Sequence, residues 1–128
     1  MVSLLHLLVY SFCFYSNANI VKSKKLRIHG VDIDHDYVVT CKENITKSGL
    51  KNQITVEHES IYDHQVNNGL KYNIAYFGAS FMLMPDPVKC LLRVKSQVEP
   101  DASIFFTQTF QVKKFWLVDL IKPIMTWL

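Results

Sequence analysis

Glycine is the scarcest informative residue: four in 128, at Gly30, Gly49, Gly69 and Gly78, with none before Gly30. A glycine-rich phosphate- or cofactor-binding loop is therefore excluded from the first 29 residues. Cysteine is also sparse. Cys13, Cys41 and Cys90 are odd in number and widely spaced, with no CxxC pair. That excludes a disulfide framework and a zinc ribbon, fits a reducing compartment, and leaves the thiols as small packing residues. Excess charge of one sign is lacking, with 14 Lys and Arg against 11 Asp and Glu. The cluster Lys22, Lys24, Lys25, Arg27 is read as a solvated linker, and no nucleic-acid surface is expected.

Long apolar runs are absent too. The stretch Leu4 to Tyr15 has the length of a signal-peptide core and is too short to span a bilayer. It has neither a basic segment before it nor a clear small-x-small cleavage site after it. It is read as a buried helix, so residues 1–25 are taken as an apolar helix and linker, membrane insertion is not expected, and the compartment is read as cytoplasmic. The triplet Asn44-Ile45-Thr46 matches a glycosylation site but falls inside an expected helix. No Gly-x-Ser-x-Gly elbow and no HxxxH or HExxH spacing occurs. His29, His35, His58 and His64 lie near acidic residues, yet no metal site is expected from their spacing.

What remains is an alternating pattern. Leu26 to Val31 is a short apolar run of the kind found in buried parallel strands. Asp34 offers an N-cap, Tyr37, Val38, Cys41 and Ile45 recur at helical spacing, and Gly49 suits a left-handed residue past the helix end, which predicts a helix over 35–48. Strands are predicted at 53–57, 72–79 and 103–109. A helix opens with Asp86 as cap and Pro87 at its first position, with Val88, Leu91, Leu92 and Val98 as its inner face. "EPDA" (99–102) reads as a turn, and "KKFWLVDLIKPIMTWL" begins as a helix that Pro123 stops or kinks. Alternation of this kind predicts an α/β fold with a mostly parallel sheet and helices on both faces.

Asp32 stands at the carboxyl end of the first of these strands, where open α/β sheets bind ligands. Asp34 meets the capping role, which frees Asp32 to accept the two hydroxyls of a ribose. Glu57 and Glu59 are read as solvated, and Ser80 as a turn residue. No cysteine has the surroundings of a nucleophile.

The order "GVDID", "ITVEHESIYD" and "YNIAYFGASFMLMPDPVKCLLRVKSQVEPDASIFFTQTF" resembles the class I S-adenosylmethionine-dependent methyltransferases from about Leu26 to Phe110. The resemblance implies a partial Rossmann-like methyltransferase domain over 26–128 and S-adenosyl-L-methionine as cofactor. It places the ribose contact on Asp32, the adenine side on Ser60 and Ile61, and the backbone approach to the methionine moiety on Phe77 and Gly78. It assigns no catalytic residue, and the methyl acceptor stays unidentified. Against the family pattern, the first strand with its Gly-x-Gly-x-Gly loop and the C-terminal strands are expected to be missing. Such a domain would leave costly unpaired backbone groups at the centre of its sheet, about 1–3 kcal/mol each, and would bind the cofactor weakly or not at all. Two other readings stay open. One is a non-catalytic remnant whose sheet edges and apolar C-terminus are covered by a protein partner; the other is a small secreted or membrane-tethered protein.

Overall fold

Short apolar runs alternating with capped amphipathic segments build an all-parallel sheet. The computed structural model describes residues 3–8, 14–66 and 69–107. Its strands are β1 (Ser3–Leu8), β2 (Arg27–Asp32), β3 (Ile54–His58), β4 (Tyr72–Gly78) and β5 (Val98–Thr107). The helices are α1 (Ala18–Ser23), α2 (His35–Lys47) and α3 (Pro87–Gln97), with short 3-10 turns at Phe14–Asn17 and Phe81–Leu83. The strand order is β3-β2-β1-β4-β5, and every adjacent pair is parallel.

The largest correction concerns the N-terminal apolar stretch. Ser3–Leu8 is a strand where a helix was expected, and it fills the sheet centre that was expected to be empty. It pairs with β2 from Ser3↔Arg27 to Leu7↔Val31, and with β4 from Leu4↔Ile74 to Leu8↔Gly78. The Ser3 backbone N–H also donates to the Asn73 side-chain oxygen at 3.0 Å. A short apolar run fits a buried strand or a buried helix equally well by periodicity. Two neighbouring strands that each need a partner decide for the strand.

The helix boundaries follow from their caps. Asp34 accepts a hydrogen bond from the Tyr37 N–H at 3.0 Å, and Asp86 accepts one from the Lys89 N–H at 2.9 Å. At the far end of α2, Gly49 adopts φ +66°. There the Leu50 N–H bonds to the Ile45 carbonyl and the Gly49 N–H to the Thr46 carbonyl, at 3.0 and 3.1 Å. This is a Schellman closure, and Leu50 beyond it is fully buried with Ile45 in the same core.

Side chains alternate between two cores. Ile28, Ile54 and Val56 pack with Val21 of α1 and with Val38, Cys41 and Ile45 of α2 on one face. Val31, Ala75 and Phe77 pack with Cys90 and Val94 of α3 on the other. The inner face of α3 is Cys90, Val94 and Gln97, with Leu91 partly buried, so the expected Val88 and Leu92 are corrected: both are exposed. Val98 is buried but begins β5. Cys90 is a buried free thiol; Cys41 packs in the first core as expected and is, against expectation, disulfide-bonded.

β5 begins at Val98, earlier than expected. Tyr72 pairs with Val98 and Ile74 with Ser103, so the "EPDA" residues bulge out of the ladder instead of preceding it. Pro100, which has no N–H to give, sits in that irregular stretch. The expected C-terminal helix, and residues 108 and 109 of the expected last strand, lie outside the described residues. No helix among the described residues is long and apolar enough to cross a membrane.

Replacing the cap, Asp34→Ala, is expected to lower stability by about 1 kcal/mol in urea unfolding. Amides of Leu4 to Leu8 are expected among the slowest to exchange with deuterium, because both edges of β1 are paired; exchange as fast as a frayed terminus would refute its central place.

Candidate functional site

The chain crosses from β1 to β2 and β3 on one side, then to β4 and β5 on the other. That reversal opens a crevice at the carboxyl ends of the strands beside β1. The register sets which residues meet there. Leu7 pairs with Val31 and with Phe77, so one step further Asp32 and Gly78 flank Leu8 from opposite sides. Two strand spacings separate them by roughly 10 Å.

Asp32 is 5% exposed. Its Oδ1 accepts the Asp34 N–H at 2.8 Å, and its carbonyl accepts the Glu59 N–H at 3.0 Å, tying the end of β2 to the residue after β3. Burial holds the Asp32 carboxyl above its ordinary value; the charge on Asp34 adds to this, while backbone N–H groups of Asp34 and Ile33 and the nearby His58 oppose it. His58 Nε2–H donates to the Ile33 carbonyl at 2.9 Å, and its ring lies edge-on to that of His35 at 5.4 Å. The turn after Asp32 is thus braced from β3.

The other expected site residues divide into backbone and core. Gly78 is buried at the end of β4. Phe77 is fully buried, its ring stacked on Phe106 at 5.0 Å and edge-on to Phe81 at 5.3 Å, so only its main chain remains for a ligand. Ile61, expected beside Ser60 at the adenine side, packs its side chain into the α3 core. Ser60 sits in the turn beyond β3, where its Oγ accepts the Tyr62 N–H at 3.3 Å and its carbonyl accepts the N–H groups of Asp63 and His64. Ser80 lies, as expected, in the turn between β4 and the 3-10 turn Phe81–Leu83, and it is fully buried there.

Two features escaped sequence reading. Ala79, directly after Gly78, has φ +56°, a left-handed conformation uncommon outside glycine, and its N–H bonds to the Thr107 carbonyl at 2.9 Å. Nothing about an alanine marks that strain in advance. The structure also brings His29 of β2, Glu57 of β3 and His64 of the following segment into one cluster. Their sequence spacing concealed this, because strand pairing, not proximity along the chain, makes them neighbours. Among buried thiols, burial pushes Cys90 up to about 11, which rules it out as a thiolate nucleophile at neutral pH.

Because the carboxyl of Asp32 is raised, the fold favours its protonated form. Its stabilising contribution is present at low pH and is lost as pH rises through the raised value. Asp32→Asn keeps the oxygen that accepts the Asp34 N–H and removes the buried charge. It is expected to raise Tm at pH 7, with the advantage shrinking as pH falls toward the ordinary carboxylate range, as read by calorimetry across pH.

Neither protein families nor curated proteins give a significant match to the chain. Solved structures do. A putative sarcosine dimethylglycine methyltransferase from Galdieria sulphuraria superposes with a TM-score of 0.71 at 17% identity, covering 97% of this chain and 47% of that one. The MccD protein gives 0.74 at 16% identity, with 98% and 55% covered. A SAM-dependent methyltransferase from Thiobacillus denitrificans, in complex with S-adenosyl-L-homocysteine, gives 0.71 at 13% identity, with 95% and 48% covered. The [4+2]-cyclase SpnF is also similar, at 0.64 and 14% identity, over 77% of this chain and 35% of its own. The chain thus spans about a third to about half the length of the structures it matches. With its central β1, its parallel order and its acidic end to β2, the chain has the class I S-adenosylmethionine-dependent methyltransferase fold.

Proposed function

We propose that the chain binds S-adenosylmethionine in the crevice beside β1 and belongs to an enzyme that transfers its methyl group to an acceptor. The observation that carries this is the buried carboxylate of Asp32 at the end of β2, level with Gly78 across the central strand. Asp32 would accept the ribose hydroxyls. Gly78, with no side chain, would let the main chain of β4 approach the methionine moiety, and Ser60 would stand at the adenine side. The cofactor brings an electrophilic methyl sulfonium; the protein's part in such a reaction is alignment of the acceptor and exclusion of water. No described residue is assigned as a general base.

Fit to the cofactor is partial. Asp32 already gives one oxygen to the Asp34 N–H. No glycine precedes Gly30, so the sequence that follows β1 lacks the residues that let a backbone come closest to a ligand. The same absence supports a second reading, a domain that keeps the fold, does not turn over, and serves as an interaction module. A fold hosts more than one chemistry, as the similarity to a cyclase illustrates.

Isothermal titration with S-adenosylhomocysteine separates the two. Under the first reading binding is detectable at millimolar ligand, weaker than micromolar, and Asp32→Ala weakens it by roughly 10- to 100-fold, the worth of hydrogen bonds to a charged group. Absence of binding at millimolar ligand by the folded wild-type chain would overturn the cofactor site and leave the second reading.

A further inference from the structure

On the α3 side of the sheet, at the β2–β3 margin, His29, Glu57 and His64 each offer a ligand atom within 4.8 Å of the others. We propose that these three side chains form a site for one divalent transition metal ion of the zinc class. It is separate from the crevice at the strand ends and does not depend on the cofactor reading.

The chemistry of the donors supports this. His29 Nε2 is buried, has no hydrogen-bond partner, and lies 3.5 Å from Glu57 Oε2. A tetrahedral zinc ion with bonds of about 2.0–2.1 Å separates its ligand atoms by roughly 3.3 Å. The His29–Glu57 pair therefore already has nearly the required spacing, and His64, within 4.8 Å of the other two, has to close a gap of up to about 1.5 Å. Two imidazoles and one carboxylate with a fourth position for water is a common zinc donor set.

The surroundings of the two histidines point the same way. His64 is 3% exposed and donates Nδ1–H to Glu59 at 2.8 Å, which leaves its Nε2 as the lone-pair nitrogen, 3.2 Å from the Tyr72 hydroxyl. Nδ1 of His29 is 2.8 Å from Thr55 Oγ1. In the ligating tautomer it donates there, and Nε2 carries the lone pair. A carboxylate or hydroxyl holding the far nitrogen is the usual outer support of a metal-bound histidine, fixing its tautomer and ring orientation. The two rings stack at 4.9 Å with an 18° interplanar angle, so one ring has to turn for both in-plane lone pairs to meet a single ion. An ion here would add a link between the paired strands β2 and β3 and the stretch from Glu59 that leads to Tyr72.

The test uses zinc chloride and cobalt(II) chloride with the full chain. The proposal expects one equivalent of zinc retained after dialysis, a rise in Tm on its addition, and visible cobalt bands of a four-coordinate site. His29→Gln and Glu57→Gln should each lose the retained ion, and Glu59→Gln should weaken binding by about 10- to 100-fold. Glu57 is half-exposed, so its variant is expected to fold even if a histidine variant does not. Failure of the wild-type chain to retain zinc overturns the proposal. So does retention unchanged in folded Glu57→Gln and His29→Gln, which would place the ion on other residues.

Discussion

Everything in this fold hangs on the double pairing of β1. A parallel strand hydrogen-bonded on both edges satisfies its own backbone and that of β2 and β4 at once. Without it, two strands would face each other with unpaired N–H and C=O groups at about 1–3 kcal/mol each, a sum comparable with the whole stability of a small domain. The same pairing sets the level at which β2 and β4 end. Asp32 and Gly78 flank one residue of β1 because Leu7 is in register with both Val31 and Phe77.

That arrangement imposes a tension on the site. Asp32 carries its charge in a place that disfavours charge, relieved in part by backbone N–H groups and by His58. Phe77, one residue from the crevice on the opposite strand, is locked into an aromatic cluster with Phe81 and Phe106. Ala79 beyond it holds a left-handed conformation. Rigid packing beneath and strain at the rim are the expected companions of a binding site, since packing over-determines what local preference would not choose.

The histidine cluster arises from the same kind of register effect. His29 pairs with Thr55, so Glu57, two residues along, faces the same side of the sheet, and the segment after β3 folds back to lay His64 over both. In sequence these residues share no motif. Their closeness is a property of the β2–β3 ladder and of one returning loop.

The sequence by itself determined what depends on neighbours a few residues away. Asp34, Asp86 with Pro87, and Gly49 bound their helices as expected, because caps and left-handed turns act within one helical turn. The alternation of apolar runs specified an α/β sheet, and "GVDID" located Asp32 at a strand end. Tertiary structure alone decided the rest. It made Ser3–Leu8 a strand, since an apolar hexamer carries no periodicity that separates strand from helix and only the unmet pairing of β2 and β4 does. It turned Val88 and Leu92 outward and Gln97 inward by placing α3 on the sheet, and it buried Ile61 in the core. It also joined His29, Glu57 and His64, because contacts across a parallel sheet are set by register between distant segments, which no local pattern encodes.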